Sequence, residues 1–350
     1  MPETVAAPEE PVFRLPPYTV EAVFTSRAQS IDWGIEILGV PALWKETRGA
    51  GIRVAVLDTG IAFSHLDLAG AVIEAKDFTG SLGGPSDDNG HGTHCAGVIG
   101  ARDNEVGVVG VANECGLLIG KVLNASGAGG SRGISNGILW AIEQKADIIS
   151  MSLGSPLPDV SINASIEKAL AAGIVVVCAA GNEGPNLDTV GWPAQVEGVI
   201  SVGAIDRRKQ VTRFSSRGRR LDVMAPGDNI LSDIPPNNQA IMSGTSMACP
   251  HVVGIIALML AKHRKFGGAT PVDSPAQVIT HLRDTAIDLG PDGFDTSYGF
   301  GLVNPEQLLF WPPLPIPGTG IELKDDDFTP SGKAKLKKAG LSRFSIQINP

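Results

Sequence analysis

Residues 54–60 read Val-Ala-Val-Leu-Asp-Thr-Gly, an apolar run that stops on a carboxylate and a turn. An apolar run this short, with no polar alternation, suits a strand buried on both faces. The texture of Ile52–Leu57 returns at Leu117–Leu123, Asp147–Leu153, Ile174–Ala180 and Val199–Ile205. Helical spacing falls between these runs. Ile134, Ile138, Leu139 and Ile142 repeat at that period, as do Ile162, Ile166, Ala169 and Leu170, with Gly173 as the expected C-terminal cap. A long apolar helix is predicted from Ser246 to about His263, and another from Pro275 with Ser274 as its N-cap. Strands alternating with helices predict an α/β, doubly wound, mostly parallel sheet with helices on both faces. In such sheets the site lies beyond the carboxyl ends of the strands.

Three stretches are distinguished along the 350 residues. Residues 1–27 are rich in Pro and Glu and read as an extended leader. Residues 28–310 carry the alternating elements. Residues 311–350 pass from a proline-rich linker (WPPLPIPG) through an acidic run to a basic KAKLKKAG, the pattern of a mobile tail. A chain this long buries enough surface to need no disulfides. The four cysteines, Cys95, Cys115, Cys178 and Cys249, form no Cys-x-x-Cys pair and are expected as buried thiols. A net charge of -9 argues against nucleic-acid binding. The N-terminus lacks the pattern of a secretory signal, and no long apolar run predicts a membrane span. If Met1 is the true start, a cytoplasmic protein is expected; a processed form of a secreted one would read the same.

Three segments carry chemistry. Asp58-Thr59-Gly60 places a carboxylate at a strand's end. The same tripeptide marks aspartic proteases, but those need a second copy, and Asp295-Thr296-Ser297 lacks both the glycine and a preceding apolar strand. The second segment, Asn89-Gly-His-Gly-Thr-His-Cys-Ala-Gly, opens a helix of small residues. His91 and His94 could share a helix face as metal ligands, yet no Glu and no third ligand completes a zinc motif. Glycines on both sides of His91 instead suit a general base at a helix start. The third segment, Ser243-Gly-Thr-Ser-Met-Ala-Cys-Pro-His, puts Ser246 in a first helical turn, where N–H groups favour developing negative charge. The order Asp, His, Ser is not that of an α/β-hydrolase.

Together, DTG, NGHGTHCAG and SGTSMACPH, in that order, resemble the subtilisin family of serine proteases over about Gln29 to Pro305. SMSLG (Ser150–Gly154), VVVCAAGNEG (Val175–Gly184) and DVMAPG (Asp222–Gly227) extend the likeness. The resemblance implies the three-layer subtilisin-like fold and a serine endopeptidase working through an acyl-enzyme on peptides and proteins. Ser246 would be nucleophile, His91 the base and then acid, Asp58 its orienting carboxylate, and Asn182 an oxyanion donor. Ser152, Leu153, Gly154, Gly127 and Gly129 match segments that pair with an extended substrate. Gly191 and the 179–183 turn match the wall and floor of a primary pocket for large apolar or aromatic side chains, and Glu183 near the floor could also admit a basic one. A catalytically silent binding protein on the same fold is the alternative, against which the intact set of residues argues.

The resemblance also implies a structural calcium ion held by Gln29, Asp67 and Asn104 with the carbonyls of Arg102, Val106 and Val108. A second cation position is not expected, because Arg220 stands where an acid is often found. The stretch FRLPPYTVEAV is similar to the leader of intracellular bacterial subtilisins, which are often homodimers. It implies that Leu15–Tyr18 lies across the active site as an inhibitor, released by cleavage between Tyr18 and Gln29. Cys95, one helical turn from His91, is expected near the imidazole.

Overall fold

The computed structural model describes residues 12–25, 28–266, 272 and 274–310 of the chain; the expected linker and tail lie outside them. In chain order the elements are β1 (Val12–Arg14), β2 (Thr19–Thr25), α1 (Trp33–Ile37), β3 (Arg53–Asp58), β4 (Val72–Asp77), α2 (His91–Gly100), β5 (Gly116–Lys121) and β6 (Ala128–Gly130). There follow α3 (Ser131–Glu143), β7 (Ile148–Met151), α4 (Val160–Ala171), β8 (Val175–Ala179), β9 (Ile200–Ile205), β10 (Val223–Pro226), β11 (Ile230–Ile234) and β12 (Asn238–Ser243). Helices α5 (Thr245–Phe266), α6 (Pro275–Thr285) and α7 (Pro305–Phe310) complete the described fold.

Seven strands form the central sheet in the order β10-β9-β8-β7-β3-β5-β4, and every neighbouring pair is parallel. All five strands expected from the apolar runs are present. Their side chains are buried on both faces, which is why they carry no alternation. Edge strand β4 escaped that reading because Glu74 and Lys76 interrupt its apolar positions and much of it is exposed. Strand β10 escaped because its Val-Met-Ala-Pro has a single β-branched residue and ends on a proline. Helix α6 begins as expected: Ser274 and Gln277 form a reciprocal capping box on either side of Pro275.

Helix α5 runs through the core. Among the described residues it is the one helix long and apolar enough to cross a membrane, and 89% of that apolar window is buried inside the protein. Helix α2 is buried along all ten residues. Its small side chains permit that: a Cβ at Gly92 would stand 2.5 Å from the Gly60 carbonyl oxygen, so only glycine lets α2 start against the turn after β3.

The sheet order fixes where the site must be. Strands β8, β7 and β3 are consecutive neighbours. The residues leaving their carboxyl ends are Gly181-Asn182-Glu183, Ser152-Leu153-Gly154 and Asp58-Thr59-Gly60. Three remote stretches thereby share one rim of the sheet.

Candidate active site

Asp58 ends β3 and His91 begins α2. Their side chains meet, with His91 Nδ1 2.9 Å from Asp58 Oδ1, and both groups are buried. Asp58 Oδ1 also accepts the Thr59 N–H at 2.7 Å. Burial is the largest single influence and disfavours the charged imidazole, but the contacts with Asp58 and Cys95 together oppose it, and the balance leaves the His91 pKa well above its ordinary value. The Asp58 contact leaves Nε2 as the ring nitrogen turned away from that carboxylate. It has no hydrogen-bond partner among the described residues, and neither does the buried Oγ of Ser246. The Cys95 thiol bridges the two residues, 3.8 Å from His91 Nδ1 and 3.4 Å from the Ser246 carbonyl.

A proline explains that last contact. In an uninterrupted helix the Ser246 carbonyl would accept the N–H of residue 250, but position 250 is proline and has none. The carbonyl is served instead by the Cys95 thiol and by the Ser152 hydroxyl at 3.2 Å. Helix α2 and the end of β7 are thus tied to the turn that presents Ser246. Burial raises the Cys95 pKa, which keeps it a neutral donor.

His94 takes no part in a metal pair with His91. Its Nε2 lies 3.1 and 3.2 Å from the carbonyls of Ile230 and Ala240, and burial lowers its pKa to about 3. It anchors α2 to strands β11 and β12.

Asn182 is oriented from behind. Its Oδ1 accepts the Thr245 N–H at 2.9 Å and the Thr245 hydroxyl at 2.8 Å, so Nδ2 faces the cleft. There it donates to the Pro17 carbonyl at 2.7 Å. The leader lies through the cleft on either side of this bond. Strand β1 pairs antiparallel with β6, and Arg14 exchanges backbone hydrogen bonds of 3.0 and 2.8 Å with Gly154. Leu15 N–H donates to the Gly127 carbonyl at 3.0 Å. The Tyr18 ring centroid sits 4.9 Å from that of His91, and its hydroxyl is 3.3 Å from Asn89 Oδ1.

The remaining expected site residues divide by what they offer. Gly127, Gly129 and Gly154 meet the leader through backbone. The Leu153 side chain is core, and Ser152 faces Ser246. Gly191 sits on the Ala180 carbonyl, beside Ser155. Glu183 is exposed, and its carboxylate accepts the Ser216 hydroxyl at 3.0 Å.

The expected calcium residues converge. Ala28 bridges to Val106 and Ser30 to Val108, which brings the loop after α2 against Gln29. Gln29 Nε2 lies 3.0 Å from the Arg102 carbonyl and 3.5 Å from Asn104 Oδ1. Asp67 Oδ2 accepts the Val108 N–H at 2.8 Å, while its buried Oδ1 has no partner. The unpartnered Asp67 oxygen, and the carbonyl and amide oxygens gathered at Gln29, Arg102 and Asn104, are hard donors of the kind calcium takes, although the Asp67 carboxylate also groups with His65 and Asp233, their ligand atoms within 4.8 Å of one another. Rotation of the Gln29 amide would turn its oxygen inward.

Sequence reasoning missed several residues around these groups. Asp87 accepts from the N–H groups of Asn89, Gly90 and Thr93 and from the hydroxyls of Thr59 and Thr93. Burial alone would raise its pKa, yet these donors bring it below the ordinary value. Its position just ahead of a helix start was the available signal. Lys121 is fully buried, with Nζ 2.6 Å from the Thr59 carbonyl and 2.6 Å from Asp88. Next to Asp67, Asp233 is buried 3.5 Å from His65 Nε2. Burial and the neighbouring Asp67 push its pKa well up. Nothing in the strand sequence Leu-Ser-Asp-Ile signals that contact.

The class defined by this sheet and rim is that of the serine-type endopeptidases of the subtilase fold. Residues 49–301 match the model of the subtilase family, peptidase S8, and the chain belongs to that family. It is 43% identical over 282 residues to subtilisin DY of Bacillus licheniformis, covering 80% of this chain and 98% of that protein. It is 48% identical over 240 residues to an intracellular serine protease of Paenibacillus polymyxa, covering 67% and 74%. To the major intracellular serine protease of Bacillus subtilis (strain 168) it is 43% identical over 255 residues, covering 70% and 80%.

Proposed function

We propose that Ser246, His91, Asp58 and Asn182 hydrolyse peptide bonds through an acyl-enzyme. Ser246 Oγ attacks the substrate carbonyl carbon as His91 Nε2 takes its proton, and Asn182 Nδ2 donates to the oxyanion. His91 then gives that proton to the leaving nitrogen as the C–N bond breaks. Water, deprotonated by His91, cleaves the ester and restores Ser246. Asp58 keeps the ring turned and stabilises its charged form throughout. The observation that carries this reading is the His91–Asp58 contact of 2.9 Å, with His91 Nε2 and the Ser246 hydroxyl both unpartnered and the two residues linked through Cys95. Specificity is broad, with large apolar or aromatic side chains preferred in the pocket beside Gly191.

The leader is the chain's own inhibitor in this reading. It gives Asn182 the carbonyl of Pro17, whose ring is exposed, so the residue at the oxyanion donor fills no pocket. Pro16 and Pro17 restrict the backbone there and keep it from attack geometry. Residues 28–310 form the peptidase domain, and calcium at Gln29, Asp67 and Asn104 would brace the loop 102–108 without entering the chemistry.

Steady-state hydrolysis of a peptide anilide tests the assignment. Ser246→Ala or His91→Ala should lower turnover by about 10⁶, the loss known for a subtilisin. Variants that fold and keep their rate would refute it. Deleting residues 1–27 should raise activity, and unchanged turnover would rule out the inhibitory leader.

A further inference from the structure

Lys121 closes β5 with its side chain fully buried, and in the parallel ladder it stands opposite Asp58. Its ammonium donates to the Thr59 carbonyl at 2.6 Å and to Asp88 Oδ1 at 2.6 Å, while the Asp88 side chain is half-exposed. Taking an ammonium out of water is costly unless it is paired and hydrogen-bonded. An apolar side chain of similar length would fill the space without that cost, so what the charge contributes lies in the oxygens it grips. Every polar group of Thr59 is engaged. Its N–H donates to Asp58 Oδ1 at 2.7 Å. Its hydroxyl donates to Asp87 at 2.9 Å and accepts the Gly92 N–H at 2.8 Å. Its carbonyl is held by Lys121. One residue earlier, the Asp58 carbonyl accepts the N–H groups of Val122 and Leu123 at 2.8 and 3.1 Å. The peptide planes on both sides of Thr59 are thus fixed by residues 121–123. The hydroxyl between them ties the end of β3 to Gly92, the second residue of α2 and the neighbour of His91.

We propose that Lys121 is a positioning residue: through Thr59 its ammonium sets Asp58 against His91. The effect on turnover rests on the catalytic reading above, whereas the effect on His91 is measurable without turnover. The sign of that effect separates positioning from charge. Removing a cation near an imidazole raises the imidazole's pKa, because the charged ring loses a repulsion. Loosening the 2.9 Å contact with Asp58 lowers it, because the charged ring loses its partner. The titratable groups that face His91 are Asp58 from β3, Cys95 and His94 on its own helix, and Tyr18 from the leader. Replacing Lys121 changes none of them, so a fall in the His91 pKa reports their geometry. The hydroxyl of Thr59 carries no charge, so its removal moves His91 by geometry alone.

The test is a pH titration of the His91 ring nitrogens by NMR in full-length Ser246→Ala, with and without Lys121→Met. Lys121→Met should lower the His91 midpoint toward the free imidazole value of ~6.5. In the full-length protein with Ser246 intact, the same substitution should cut kcat for a peptide anilide by about 10- to 100-fold at unchanged KM, since a displacement of about 1 Å can cost about 10². A midpoint that rises would make Lys121 a charge acting at a distance. A midpoint and a kcat that both stay at the parent values would leave it a filler of the core. Either result overturns the proposal. A lowered midpoint in a protein whose parent form cuts no anilide would support the link to His91 and fault the peptidase reading alone. Where Lys121→Met does not fold, Thr59→Val takes its place, because it cuts the tie to α2 with little change of shape. The midpoint should then fall as well, and one that does not move overturns the route through Thr59 and the proposal with it.

Discussion

Tyr18→Ala isolates the contact by which the leader covers His91. Its ring lies 4.9 Å from the imidazole centroid and its hydroxyl 3.3 Å from Asn89 Oδ1. An aromatic pair contributes about 0.5–1.5 kcal/mol beyond area burial. A long hydrogen bond donated by the half-buried hydroxyl adds about 0.5 kcal/mol. With the ring's lost apolar burial, about 2 kcal/mol of closed-state stability disappears, a factor of about 30 in the open fraction. While the closed form dominates, initial rate follows that fraction. Full-length Tyr18→Ala should therefore hydrolyse a short peptide anilide about 30 times faster than the parent, measured before any leader is cut. Tyr18→Phe keeps the ring and should gain only about twofold. Equal rates for parent and Tyr18→Ala, with both chains intact by mass, would refute the reasoning.

Other outcomes follow from the same geometry. The base must be neutral, and the contacts with Asp58 and Cys95 together hold the His91 pKa well up against the larger single effect of burial. The kcat/KM profile should thus rise with a midpoint above ~6.5, the free imidazole value. Asp58→Asn should move it lower while cutting turnover by about 10⁴, as in a subtilisin; a midpoint that stays put would contradict this. Asn182→Ala should cost about 10²–10³ in kcat, the loss known for a subtilisin's oxyanion amide. Thr245→Val should cost about fivefold in kcat at constant KM, because the Thr245 N–H still holds Asn182 Oδ1. Restoration by Thr245→Ser separates orientation from packing. Chelation by EDTA should lower the Tm of the full-length protein by several degrees, since an ion bound at about 100 times its Kd adds about 2.7 kcal/mol. An unchanged melting curve would speak against calcium at Asp67.

The sequence disclosed most where burial and pattern coincide. Strands with both faces covered have no choice but continuous apolar residues, so β3, β5, β7, β8 and β9 were readable from Val, Ile and Leu alone. Strand β4 was not, since an edge strand half in solvent tolerates Glu74 and Lys76 without penalty. The leader's strands were hidden for another reason. Nothing in PVFRLPPYTVEAVFT says that its backbone completes ladders with Gly129 and Ile241. Pairing of that kind uses groups every residue has. The segments bearing Asp58, His91 and Ser246 could be singled out as chemistry, but the parts that set them in place could not. Pro250 deprives the Ser246 carbonyl of its helical donor, and Cys95 and Ser152 supply it from two other segments. Lys121 and Asp87 brace the turn after β3 from positions that read as an ordinary strand end and a loop acid.

The central claim is that the imidazole beside Asp58 makes one serine hydroxyl nucleophilic. A fluorophosphonate reaction followed by peptide mass mapping examines it directly. The account predicts a single adduct, on Ser246, formed by full-length protein and lost in His91→Ala. An adduct on any other serine, or equal labelling of Ser246 without His91, would contradict it.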